Sequence, residues 1–128
     1  MNPFETPGAI SWNELVSTDP AGAATFYAGL FGWNIKAPDA NMGGYRVVQV
    51  GEAGIGGIMG CPEGAPKVSQ WGCYVTVKDV AATVAKCESL GGKCLVPAMD
   101  VPNVGRMAVL MDPQGAMFNA IQYAMPSA

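Results

Sequence analysis

The 128-residue sequence has no histidine, and its four cysteines, Cys61, Cys73, Cys87 and Cys94, form no C-x-x-C pair. Zinc sites draw on paired Cys or Cys/His ligands at short spacing, so a cysteine-based metal site is set aside and the thiols are expected to be buried and reduced. Charge is also scarce: seven Lys and Arg against ten Asp and Glu give a net charge of −3. The basic residues are scattered and never adjacent. That argues against nucleic acid as a partner, because neutralising phosphates needs them clustered. No apolar run approaches the roughly 20 residues that span a bilayer, so no membrane partner is expected. The opening stretch MNPFETPGAISW lacks a basic region followed by an apolar one. No signal peptide is therefore expected, and the cytoplasm is the default location.

What is present suits one folded domain over residues 1–128. Half of the residues are hydrophobic, and 17 glycines and 10 prolines imply many turns between short strands. A repeat with an offset of sixty residues organises them. Setting NELVSTDPAGAATFYAGLFGW (13–33) over CYVTVKDVAATVAKCESLGGK (73–93) aligns Asp19 with Asp79, Ala21 with Ala81, Leu30 with Leu90 and Gly32 with Gly92. The same offset places Arg46 over Arg106, which predicts a shared structural role for the two.

Each copy reads as a strand, a helix and three more strands. ISWNELVS alternates like a strand. Asp19-Pro20 and Asp79 read as helix starts, where a carboxylate caps free N–H groups. Ala23, Phe26, Tyr27 and Leu30 recur at helical spacing and predict a buried stripe, as do Val80, Val84, Cys87 and Leu90. WNIKAPD, YRVVQV and GIGGIMG predict strands in the first copy. In the second, KCLVPAMD predicts a short strand interrupted by Pro97. GRMAVLMD and AMFNAIQ predict a hairpin around Pro113-Gln114-Gly115, with Asp112 in the turn. The modules are therefore 8–60 and 70–123, joined by a Pro- and Gly-rich linker at 61–69. The predicted fold class is α+β: two β-α-β-β-β modules in a pseudo-twofold arrangement, forming a cupped mixed sheet with the helices outside.

The marks WNELVSTDP…FYAGLFGW, W..YVTVKDVAATVAK…LGGK and VPNVGRMAVLMDPQGAMF follow one another over nearly the whole chain. In that order they resemble the vicinal oxygen chelate superfamily, which includes glyoxalase I, extradiol dioxygenases and the fosfomycin- and bleomycin-resistance proteins. They are most similar to a glyoxalase-like subgroup. The resemblance implies metal ligands seven residues before the Asp that opens each helix, and seven after the Asp of the DP.G turn. Those positions hold Trp12, Gly72 and Asn119, and the repeat makes Met59 the fourth. None is a good ligand for a divalent cation, so no metal and no cofactor are expected.

If Trp12 faces inward, alternation places Glu14 and Val16 on the same face and Asn13 and Leu15 on the other. Met59 and Gly57 then line the first copy, and Tyr74, Met117, Asn119 and Ile121 the second. Such a surface is aromatic and thioether-rich, which suits a flat ligand, and Glu14 is its one interior charge, with an expected raised pKa. Three functions remain open. One is metal-independent binding of a small aromatic or amphipathic molecule by Trp12, Glu14, Met59, Tyr74, Met117 and Asn119, resembling bleomycin-resistance-type sequestering proteins. A second is a metal-independent lyase or isomerase with Glu14 as general base and Tyr74 or Asn119 to steady an oxyanion. The third is a structural module with an empty cavity. The resemblance also implies a homodimer.

Overall fold

The computed structural model describes residues 1–124. The chain divides into two compact units. The first is Trp12–Gly72. The second joins Met1–Ser11 to the chain from Cys73 onward. Both are mixed α+β layers in which one helix packs on one face of a sheet.

In the first unit, strand β1 (Ile10–Ser17) leads into helix α1 (Pro20–Phe31), the two-residue strand β2 (Asn34–Ile35), a 3₁₀ turn at Ala40–Met42, and strands β3 (Arg46–Val50) and β4 (Ala53–Gly60). The order is β2-β3-β4-β1, with β1 parallel to β4 and the remaining pairs antiparallel. The second unit repeats the plan: β5 (Gln70–Thr76), helix α2 (Val80–Ser89), β6 (Lys93–Val101), β7 (Gly105–Met111) and β8 (Met117–Tyr123). Its order is β5-β8-β7-β6, with β5 parallel to β8. Residues 61–69 contain no helix or strand.

Both helices start as their sequences dictate. Asp19 Oδ1 accepts from the Gly22 N–H at 3.0 Å, and Asp79 Oδ1 from the Ala82 N–H at 3.1 Å. Each bond satisfies one donor that the first turn leaves open. Helix α1 stops at Gly32, whose φ of 70° is a left-handed cap that glycine adopts without a Cβ penalty. Asp112 holds the β7–β8 turn, accepting from the N–H groups of Gln114 and Ala116 at 2.9 Å each.

The two cores lie between helix and sheet. Leu15, Val48 and Ile58 are buried in the first, with Ala23, Ala24, Tyr27, Trp33 and Ile35 against them. Val80, Ala108, Leu110 and Ala120 fill the second, with Val84, Cys87 and Phe118 packed on them. Here the structure corrects the predicted stripes. Phe26 and Leu30 are 60% and 58% exposed, and Leu90 caps α2 at 70% exposure. Helix α1 meets its sheet through two alanines and Tyr27, so its larger side chains fall on an outer stripe.

Four further expectations change. The segment around Pro97 is one nine-residue strand, β6. Its pairing with β7 shifts register on either side of Val96. Pro97 offers no N–H, and a bulged edge strand tolerates that. The WNIKAPD strand shrinks to two residues. The cysteines are free but partly exposed rather than buried. Arg46 and Arg106 do not share a role. Arg106 pairs with Asp100 at 3.1 Å on the surface. The buried Nε of Arg46 has no hydrogen-bond partner among the described residues.

Residues 1–11 group with the second unit through specific bonds. The Gly8 N–H donates to the Thr76 carbonyl and the Thr76 N–H to that of Ala9, both at 2.8 Å. Thr76 Oγ1 donates to the Pro3 carbonyl at 2.7 Å, and Phe4 stands edge-on to Tyr123 at 5.2 Å.

Candidate functional site

Strand geometry decides which side chains share the helix-free faces. Leu15 packs under α1, so its neighbours Glu14 and Val16 point the other way, as does Trp12. Register puts Glu14 beside Gly57 and Val16 beside Met59. Trp12, Glu14 and Met59 therefore share one face in the first unit. In the second unit, Ala108, Leu110 and Ala120 face α2. The alternate positions, including Met107, Met117 and Asn119, face away, and Tyr74 joins them as the register partner of Asn119. The predicted face assignment therefore matches the structure within each unit.

The glycines of GIGGIMG belong to β4, and packing requires two of them. A Cβ at Gly57 would collide with the Tyr45 ring, and one at Gly56 with the Asn13 carbonyl. The space kept open at Gly57 lets the Tyr45 hydroxyl accept a hydrogen bond from Trp12 Nε1 at 2.8 Å. Trp12 thus gains a fixed orientation, with the half-buried Glu14 on the same strand face. Tyr45 was not legible as a site residue. The only signal for it is the pairing of a bulky residue with a side-chain-free position on a neighbouring strand.

In the second unit Tyr74 is buried, and its hydroxyl donates to Met107 Sδ at 3.8 Å. Asn119 Nδ2 donates to the Cys73 carbonyl at 3.2 Å. Met117 is 46% exposed. At the far end of this face, Ser11 Oγ and Tyr123 Oη are 2.6 Å apart. Burial raises the Tyr123 phenol above its ordinary pKa, and the Ser11 bond pulls partly the other way. Burial likewise raises the Cys94 thiol, assisted by Glu88 and Cys87.

The residues present do not fit the divalent metal that the resemblance implies. Trp12 offers only an N–H donor, engaged with Tyr45; Asn119, its Nδ2 engaged with the Cys73 carbonyl, leaves one neutral amide oxygen; Gly72 offers no side chain, and Met59 is a soft thioether. Among the described residues, no cluster of three or more His, Cys, Asp or Glu side chains is arranged to hold a metal ion. No helix among them is long and apolar enough to cross a membrane. A cavity of about 680 Å³ lies elsewhere in the second unit, where Phe4, Thr76, Lys78, Asn103 and Tyr123 line it. It contains none of the six predicted site residues.

Comparison with known proteins places this geometry in a family. A model described as a glyoxalase-like domain matches residues 13–121. CFP32 of Mycobacterium tuberculosis (strain CDC 1551 / Oshkosh), which bears a provisional glyoxylase name, is 40% identical over 119 residues. That match covers 91% of this chain and 45% of CFP32. The anthracycline biosynthesis protein DnrV of Streptomyces peucetius is 36% identical over 128 residues, covering 88% of this chain and 46% of DnrV. The chain thus spans about half the length of the curated relatives it matches. Among solved structures, the methylmalonyl-CoA epimerase of Mycobacterium tuberculosis superposes with a TM-score of 0.62 at 14% identity, over 92% of this chain and 89% of the epimerase. The hypothetical protein BH1468 of Bacillus halodurans C-125 gives 0.70 at 12% identity, over 96% and 99%. These last likenesses concern the fold alone. On the match over residues 13–121 and the repeated β-α-β-β-β plan, the chain belongs to the glyoxalase-like domain family of the vicinal oxygen chelate superfamily.

Proposed function

We propose that the protein binds a small aromatic or amphipathic molecule on its helix-free sheet faces without a metal ion, in the manner of bleomycin-resistance-type proteins. The contact residues are Trp12, Glu14 and Met59 in the first unit and Tyr74, Met117 and Asn119 in the second. The observation that carries the reading is Trp12, held by Tyr45 at 2.8 Å on the same face as Glu14. A ring fixed in advance offers stacking area at little entropic cost, and a half-buried carboxylate beside it favours a cation. The name of DnrV, which ties that relative to the making of anthracyclines, a class of fused-ring aromatic compounds, supports an aromatic ligand. A homodimer working in the cytoplasm belongs to the same proposal.

Equilibrium dialysis with 10-methylacridinium and acridine, at a pH where acridine is neutral, tests it. The cation should bind about 5- to 150-fold more tightly, the equivalent of about 1–3 kcal/mol for a largely desolvated pair. Glu14→Gln should abolish that preference. Equal affinity for the two dyes, or a preference that survives the substitution, contradicts the reading. So does a measurable lyase or isomerase turnover that Glu14→Gln removes, which would make Glu14 a base instead of a selector.

A further inference from the structure

The helix-bearing side of the first unit carries five aromatic rings in one assembly, with Phe26 edge-on to Tyr27 at 5.1 Å as its outermost member. Tyr27 stacks on Trp33, with centroids 5.7 Å apart and planes 22° apart, and on Phe31 at 6.2 Å and 17°. Trp71 stands edge-on to Tyr27 at 5.4 Å and to Trp33 at 6.1 Å. Its Nε1–H donates to the Tyr27 hydroxyl oxygen at 3.2 Å. Tyr27, Phe31, Trp33 and Trp71, with Val48 and Asn13, line a cavity of about 490 Å³. Ligand pockets commonly enclose about 300–1,000 Å³. A purely structural cluster would bury its rings, yet Phe31 is 59% and Trp71 44% exposed.

We infer that this cavity is a second binding site, for a neutral planar aromatic molecule carrying a hydrogen-bond acceptor. Its lining includes no Asp, Glu, Lys or Arg, so an ionic group on the ligand would lose water without gaining a counter-charge. The ring faces and edges supply a slot for a flat apolar body. Two polar groups remain to orient it. The Tyr27 hydroxyl accepts from Trp71 and keeps its own proton to donate, and the Asn13 amide both donates and accepts. A carbonyl on the ligand satisfies either donor. The site is distinct from the sheet face of Trp12 and Glu14 because Asn13 lies on the opposite side of β1. A half-open uncharged groove with two side-chain donors in its lining favours a small molecule over a second copy of the chain, and the test separates the two.

The probe is 9-fluorenone, against fluorene, which lacks the carbonyl, followed by quenching of tryptophan emission. Fluorenone should bind saturably and about tenfold more tightly than fluorene, the worth of one buried hydrogen bond. Trp12→Phe should leave that binding intact, and Trp71→Ala should weaken it at least about tenfold through lost ring contact. If Trp71→Ala fails to fold, Asn13→Ala with Tyr27→Phe, which removes both donors, should still erase the preference for fluorenone. Unsaturable quenching, or equal affinity for the two probes, overturns the inference. Binding lost in Trp12→Phe but kept in Trp71→Ala overturns it too, while leaving the proposed function standing. Self-association that excludes fluorenone would assign the rings to a second copy of the chain, which also overturns it.

Discussion

Trp12 stands where the resemblance implies a metal ligand, and its hydrogen bond to Tyr45 gives that side chain a different use. The Trp12–Tyr45 bond depends on the absence of a side chain at residue 57. Gly57→Ala should force the Tyr45 ring aside, lower stability by about 1–3 kcal/mol through overpacking, and shift the tryptophan emission. Gly54→Ala is the control. A Cβ there meets Trp12 at 3.5 Å, ordinary van der Waals contact, so its stability change should stay within about 0.5 kcal/mol. Thermal unfolding of the two variants checks the pair, and equal effects would contradict it. Tyr123 gives a second residue-scale prediction. Its phenol pKa is raised in the folded chain by burial, so folding favours the protonated form. That contribution is whole below the unfolded value near 10 and is lost as pH rises through the folded value. Wild-type melting temperature should therefore fall more steeply above about pH 10 than that of Tyr123→Phe. Parallel curves would show that Tyr123 is not the group responsible.

At the scale of elements, the strands were more legible than the helix faces. Strand alternation has a period of two, so one anchored residue, Leu15, fixes the direction of Trp12 and Glu14. Helix α1 offers two overlapping apolar stripes, Ala23–Ala24–Tyr27 and Phe26–Leu30, and spacing alone cannot rank them. The sheet selects the small residues because they let the helix approach Leu15 and Ile58 closely. Leu30→Gln should accordingly change stability by less than about 0.5 kcal/mol, whereas Phe26→Gln should cost about 0.5–1.5 kcal/mol through its edge-on contact with Tyr27 at 5.1 Å. Ala24→Leu should cost about 1–3 kcal/mol by overpacking the helix against the sheet. Urea unfolding midpoints measure all three, and a large loss from Leu30→Gln would mean that the outer stripe is covered after all. The long β6 escaped the sequence for a related reason. Pro97 reads as an interruption, and only the edge position and the bulges around it allow the strand to continue.

For the whole molecule, the sixty-residue repeat made the plan legible, because both copies carry the Asp that opens a helix and the Gly that follows it. The chemistry was legible mainly as a departure: Trp12, Met59, Gly72 and Asn119 stand at the positions where the resemblance implies ligands. The partner of Trp12 and the aromatic assembly around Tyr27 were not legible, because both join residues far apart in sequence, Trp12 with Tyr45 and Tyr27 with Trp71. The donor set predicts that purified protein holds no stoichiometric Ni, Zn, Fe or Mn. Elemental analysis giving one equivalent that resists mild chelation would contradict this. The central claim is an aromatic ligand held on the sheet face by Trp12 and Glu14 without a metal. Its most direct test is a crystal structure of chelator-treated protein soaked with 10-methylacridinium. The predicted result is the dye stacked on Trp12 with its ring nitrogen toward the Glu14 carboxylate. A dye absent from that face, or one bound there only through a metal ion, would contradict the claim.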